Sequence, residues 1–278
     1  MASATGAPSS YLLGHAEAEV DRLLLQGRLY NDHTERALRL AGLAPGMRVL
    51  DVGCGPGDVS IVASRLVGPS GSVTGVDATP EILEFARTRA ADSGLSTISF
   101  VRATIPDVPL AGQVDAVIGR LILMHLPDPV AALRRLATSV RPGGVIVFHE
   151  FDISSAHSAP ELPLFGLVRD LIVRSFRGAG LPTECGSSLY SLFQRAGLPA
   201  PRLTLGAPMG GADDVDVFAF AVGVWRLMFP VAQRLGLVTD EVSDVDGLLP
   251  RLRTEAASAD AVVTLPALIS AWTTTSSG

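Results

Sequence analysis

Met47-Arg48-Val49-Leu50-Asp51-Val52-Gly53-Cys54-Gly55-Pro56-Gly57-Asp58 decides how this chain is read. Its first half is a short apolar, β-branched run, the pattern of a strand buried on both faces. Its second half sets three glycines at alternate positions, after which Val59, Val62, Ala63 and Leu66 recur at helical spacing. A glycine-rich turn between strand and helix lets the backbone approach a ligand closely, and the helix start adds unpaired N–H groups and positive dipole. A dinucleotide fingerprint needs Gly-x-Gly-x-x-Gly. Here Gly57 comes one position early and Asp58 takes the dinucleotide position, where its carboxylate would oppose a pyrophosphate. Asp51 also suits a cation better than a phosphate. The spacing predicts a compact, positively charged ligand and disfavours a dinucleotide oxidoreductase.

Outward from this stretch, strands and helices alternate. Ser72–Asp77 reads as a second strand, Thr97–Val101 as a third, Val114–Gly119 as a fourth and Val145–Phe151 as a fifth. Thr79 with Pro80 starts one helix, and Asp128-Pro129 starts another that ends at Arg141-Pro142-Gly143-Gly144. Such alternation indicates a parallel α/β sheet with right-handed crossovers. Leu13, Val20, Leu23 and Leu24 predict an amphipathic capping helix over Tyr11–Tyr30, followed by a further helix that His33 and Glu35 begin. After Phe151 the pattern predicts a helix after Pro163, a strand over Arg202–Ala207, helices across Asp214–Ala259 and a last strand near Leu265–Trp272. The expected organisation is a tail and capping helix (1–32), an α/β core (33–211), a helical lid insertion (212–260) and a last core strand with tail (261–278).

Of 278 residues, 47% are apolar and 18% charged, enough for a large packed core and too apolar for a disordered chain. The net charge of −6 and the lack of a basic cluster disfavour nucleic acid as partner. Mean hydropathy is +0.36, yet the charge-free tract after Asp260 contains Pro266 and ends in Thr and Ser, so no membrane partner is expected. The extra apolarity is assigned to a core, a ligand cavity or a homodimer surface. MASATGAPSS has neither a basic start nor an apolar stretch, so no signal peptide is read; Cys54 and Cys185 lie far apart, and a cytoplasmic location fits.

The Asp-x-Gly-x-Gly-x-Gly stretch resembles motif I of class I S-adenosylmethionine-dependent methyltransferases. Asp77 falls where that family places the acid that binds the ribose hydroxyls, with Ala78 beside it. Arg120 begins Arg-Leu-Ile-Leu-Met-His-Leu-Pro-Asp-Pro, similar to the segment after strand four in ubiquinone-biosynthesis-type methyltransferases, and Val140–Gly144 matches the turn before strand five. The resemblance covers roughly residues 33–151. It implies a Rossmann-like, seven-stranded, mostly parallel sheet of order 3-2-1-4-5-7-6, with S-adenosylmethionine at the switch point between strands one and four and S-adenosylhomocysteine as product. Asp51, Gly53, Gly55, Gly57, Asp77, Ala78, Ala103, Thr104 and Arg120 are the implied cofactor contacts. One departure stands out: Thr104 occupies the place where the family often has an acid for the adenine amino group.

Methyl transfer neutralises a sulfonium in an in-line displacement, so alignment in a dry pocket supplies much of the catalysis, and a base is needed only for acceptors that must lose a proton. His125, Glu150 and Asp152 are the candidate catalytic groups, and Tyr11, Tyr30 and His125 the candidate substrate contacts. Period two puts Glu150 and Asp152 on one strand face and His149 on the other. Each has a plainer alternative: His125 as a helix-start residue, Asp77 as a helix cap, Cys54 as loop filler. No metal-binding carboxylate cluster is found, so a metal-independent mechanism is expected. The expected acceptor is a small apolar or aromatic molecule, with C-methylation of an indole as one form. Alternatives are a methyltransferase-fold cyclase and a non-catalytic S-adenosylmethionine-binding regulator.

Overall fold

The computed structural model describes residues 9–108 and 114–276, with the side chains of residues 9–18 and 106 outside that description. The chain begins with α1 (Ser9–Ala41), β1 (Arg48–Val52), α2 (Asp58–Val67), β2 (Ser72–Asp77), α3 (Pro80–Asp92), β3 (Ile98–Arg102), β4 (Val114–Arg120), α4 (Pro129–Ala137) and β5 (Val140–Asp152). It continues with β6 (His157–Ala159), α5 (Pro163–Gly178), α6 (Cys185–Arg195), β7 (Arg202–Gly206), β8 (Met209–Gly210) and α7 (Val215–Arg234). It closes with α8 (Asp240–Ser243), α9 (Leu248–Ser258), β9 (Val262–Thr264) and β10 (Ala267–Thr274).

Seven strands form the main sheet in the order β3-β2-β1-β4-β5-β10-β7. Numbered within this sheet alone, that is the expected 3-2-1-4-5-7-6. β1 to β5 run parallel, and β10 runs antiparallel to both β5 and β7. Apolar residues alternate between two cores. Leu38, Val59, Val62, Leu66, Ile118 and Val147 join one between the sheet and α1–α2, while Leu133, Leu136, Phe148, Leu189 and Phe193 join the other, under α4 and α6. Burial on both faces is why these strands read as continuous apolar runs.

The structure differs from the sequence expectations in three places. First, α1 is one helix running through the expected boundary at residues 32 and 33, because no Gly or Pro interrupts Arg28–Ala41. Gly27 lets α1 cross the first turn of α2, since a Cβ there would stand 2.5 Å from Asp58 Oδ1. Second, β6, β9 and β8 form a small antiparallel sheet whose two- and three-residue strands are too short to show alternation. Third, α4 stops at Ala137 and β5 begins at Val140, so Arg141–Gly144 lie in the strand rather than ending the helix, and β4 and β5 run on to Arg120 and Asp152, one residue beyond the apolar runs that revealed them. Residues 215–258 supply α7, α8 and α9, and α7 packs against α1, α5 and α9. By length and composition α7 is apolar enough to cross a membrane; here Val217, Phe218, Trp225 and Met228 are buried, and Trp225 Nε1 donates to the Val242 carbonyl at 3.1 Å.

Candidate active site

At the carboxyl end of β1 the chain turns through Gly53, Gly55 and Gly57, with φ of 66°, 51° and 84°. These left-handed values disfavour any residue with a Cβ. No atom lies within 4 Å of the place a Gly55 Cβ would take, so the loop is open to a ligand there. The Gly55 N–H donates to Asp77 Oδ2 at 3.1 Å, and the Thr79 N–H donates to Asp77 Oδ1 at 3.0 Å. Asp77 therefore ties the glycine loop to the start of α3, and each of its oxygens keeps a further lone pair. Ala78 follows it, exposed. The Ala103 N–H donates to the Asp77 carbonyl at 3.0 Å, bringing Ala103 and Thr104 to the same sheet edge. Thr104 Oγ1 donates to Asp107 Oδ2 at 2.5 Å, so a carboxylate stands beside the position where the sequence itself offers a hydroxyl.

Asp51 is 1% exposed. Its Oδ2 accepts from Ser60 Oγ at 2.6 Å, whereas Oδ1 has no partner. Burial pushes this carboxyl up to about 7, opposed by the Ser60 hydrogen bond and by Arg120. A buried, half-satisfied carboxylate suits a cationic group. Arg120 Nη1 donates to Asn31 Oδ1 at 2.9 Å and Thr34 Oγ1 at 3.1 Å, joining β4 to α1. Burial lowers its guanidinium from the ordinary value, with Asp58 and Asp51 opposing.

A cavity of about 290 Å³ opens from this loop. Gly53, Gly55, Pro56, Asp58 and Arg120 line the end at the glycine loop. Its body is apolar, walled by Phe151, Phe165, Phe176, Phe220 and Met228 from β5, α5 and α7. Polar groups enter from one face of α1 (Glu19, Arg22 and Gln26) and from His125 and Arg169. Arg22 is held by both Glu19 oxygens, at 2.8 and 2.7 Å, and by Gln26 Oε1 at 3.1 Å. His125 ends the 3₁₀ turn Leu123–His125, and burial lowers its pKa, with Arg22 adding to and Glu19 opposing the shift. The neutral imidazole is thus favoured at neutral pH.

The structure does not bring the other predicted groups to this cavity. Glu150 is fully buried behind the Leu121–His125 turn, with Oε1 accepting from the Ile122 N–H at 3.0 Å and the Leu123 N–H at 2.7 Å. Asp152 accepts from the Ser187 N–H at 2.9 Å and from the Ser187 hydroxyl, securing the first turn of α6. Both lie on the α6 face of β5, as period two requires, and Phe151 on the opposite face reaches the cavity. Tyr30 is fully buried; its OH donates to the Pro266 carbonyl at 2.8 Å and its ring packs edge-on against Phe151 at 4.8 Å. It backs the cavity wall rather than lining it. Tyr11 lies in the first turn of α1, and its side chain is outside the described residues. His33 Nε2 pairs with Ser270 Oγ at 3.2 Å, and Glu35 accepts from Arg39, so neither faces the loop. Cys54 is the exception: it lines the cavity beside Gly53 and Gly55, though it is otherwise buried, which raises its thiol pKa. Among the described residues, no group of three His, Cys, Asp or Glu could hold a metal ion.

Sequence reasoning passed over Glu19, Arg22 and Gln26, although their i, i+3, i+7 spacing placed a polar stripe on a helix already expected to cover the sheet. It also passed over Asp107, three residues beyond Thr104.

Residues 43–177 match the family model described as a methyltransferase domain. The chain is 39% identical over 105 residues to the ubiquinone biosynthesis O-methyltransferase of Vibrio parahaemolyticus, covering 37% of this chain and 43% of that protein. It is 40% identical over 120 residues to the aklanonic acid methyltransferase DauC of Streptomyces sp. strain C5, covering 42% and 54%. These matches span about half the length of those relatives. The crystal structure of the cyclase SpnF shares the fold, with a TM-score of 0.53 at 18% identity over 89% of this chain and 81% of that one. The glycine loop, the acid ending β2, the strand order and the matched region agree: residues 43–177 carry a methyltransferase domain similar to that of class I S-adenosylmethionine-dependent methyltransferases.

Proposed function

We propose that this chain transfers the methyl group of S-adenosylmethionine to a small, mostly apolar acceptor held between α1, α5 and α7. The observation that carries this reading is the continuity of one cavity from the glycine loop into an aromatic-walled chamber. Asp51 and Asp77 offer carboxylates to the cationic and hydroxyl groups of the cofactor, Arg120 a guanidinium to its carboxylate, and Gly55 room for close approach. Ala78, Ala103, Thr104 and Asp107 edge the side where an adenine would rest. Bound S-adenosylmethionine supplies a methyl on a positively charged sulfur and leaves as neutral S-adenosylhomocysteine. The chain's own part is to align and to keep water out, as the apolar chamber does. For an acceptor that must lose a proton, the neutral His125 ring takes it as the nucleophile bonds to the methyl carbon, and later releases it to solvent. The indole form of this reading relied on Glu150 or Asp152 meeting the ring N–H, and neither lines the cavity.

The relatives act, by name, in ubiquinone biosynthesis and on aklanonic acid, so phenols, quinols and polycyclic aromatic acids are the acceptors to try. The test is S-adenosylhomocysteine release across such a panel, with cofactor binding followed by calorimetry. Acceptor-dependent release is expected. Tight cofactor binding with no release across the panel would turn the reading toward a cyclase, and absence of binding would overturn it.

A further inference from the structure

Where β4 leaves the sheet, Leu121 adopts φ of 56°, a left-handed conformation without a glycine. The Leu121 N–H still bonds to the His149 carbonyl at 2.8 Å, but the next two N–H groups, of Ile122 and Leu123, turn into the protein with no strand or helix to receive them. Such buried donors need a partner. Glu150 Oε1 accepts both, and the His125 N–H then closes the turn on the Ile122 carbonyl at 3.1 Å. Three residues of this turn, Leu121, Met124 and His125, line the cavity. A fourth, Ile122, seals against the glycine loop, where a Cβ on Gly53 would stand 2.7 Å from Ile122 Cδ1. The second carboxyl oxygen, Oε2, is buried beside the Cys185 thiol of α6, and the Met124 N–H also turns toward the carboxyl.

We infer that Glu150 is a positioning residue: through one buried oxygen it fixes the Leu121–His125 turn, and so sets where His125 and Met124 stand relative to the glycine loop. This rests on the methyl-transfer reading only for what His125 then does; the positioning itself is a property of the turn. Glu150 does not line the cavity, so it acts on it through the N–H groups of the turn.

The test compares wild type with E150Q, E150D and E150A as full chains saturated with S-adenosylhomocysteine, reading backbone amide exchange and the His125 ring titration by NMR. Gln keeps an acceptor at the same reach, so E150Q should hold Ile122 and Leu123 exchange within about threefold of wild type and leave the His125 titration in place. Asp is one methylene short and Ala offers nothing. Both should speed exchange at these two amides about tenfold or more and move the His125 pKa back up toward that of a solvated ring, while β1 amides stay protected. If E150A does not fold, E150D carries the same expectation. Unchanged exchange and titration in E150D, or loss of protection spread evenly over β1 and β4, would overturn the proposal. Failure of S-adenosylhomocysteine to bind wild type would instead strike the cofactor reading, with the exchange comparison repeated on the free protein still deciding the role of Glu150.

Discussion

Replacing Asp51 by Asn should make cofactor binding lose its dependence on pH. In the free protein burial pushes the Asp51 carboxyl up from its ordinary 3.8 to about 7, so at pH 5 nearly all molecules carry it protonated. A cationic ligand binds the ionised form, and its apparent affinity scales with the fraction ionised. With a pKa of about 7, that fraction rises about 50-fold between pH 5 and pH 7, and the dissociation constant of S-adenosylmethionine should fall by the same factor. Over this range the ligand's own amino group stays protonated and its carboxyl ionised, so neither interferes. Calorimetry in buffers of different ionisation enthalpy should show about one proton released per cofactor bound near pH 5.5. D51N should bind more weakly at pH 7, with a much flatter pH response. The free protein gives an independent check. A carboxyl whose folded pKa is raised contributes stability below its unfolded pKa and loses it as pH climbs through the folded one. Wild type should lose about 3.5 kcal/mol between pH 3.8 and 7 from this group, and D51N should be spared that loss. Parallel pH profiles for wild type and D51N, in binding or in stability, would refute the assignment of Asp51 to the cation.

Other expectations are narrower. Gly55→Val places a branched side chain at φ 51° in space the loop leaves open; a strain of about 1–2 kcal/mol should lower the melting temperature by a few degrees, and S-adenosylhomocysteine affinity should drop about tenfold or more. Retained affinity would remove Gly55 from the site. Tyr30→Phe deletes the hydroxyl that reaches the Pro266 carbonyl and should cost about 1 kcal/mol in denaturant unfolding with cofactor affinity and turnover unchanged, whereas a fall in turnover alone would return Tyr30 to the substrate. His125→Asn should leave S-adenosylhomocysteine affinity intact and slow acceptor-dependent release about 100-fold for acceptors that lose a proton, a result read from initial rates across the phenol panel. Equal rates would mean that such acceptors ionise without it.

The half of the site proposed to hold the cofactor was legible because it is local. Asp51, Gly53, Gly55 and Gly57 sit within one turn, and Asp77 is one crossover away at the end of the adjacent strand, so motif spacing and strand order place them together. The acceptor half was not, and β5 shows why. Alternation correctly puts Glu150 and Asp152 on one face and Phe151 on the other, but nothing in the strand says which face meets the ligand. That is settled by α1 and α7 lying on the Phe151 side and α6 on the Glu150 side, packing between segments far apart in the chain. The acids therefore serve the scaffold, one bracing the turn after β4 and the other the start of α6, and the strand presents an aromatic ring to the cavity. Polar groups that touch an acceptor must then come from the α1 stripe, the His125 turn and Arg169. That division has a chemical consequence. On the proposed function the phenylalanine walls would select acceptors by shape and apolar area and the α1–His125 corner would meet the reacting atom, so substitutions in the walls should change which acceptors bind and substitutions in the corner how fast a bound one reacts.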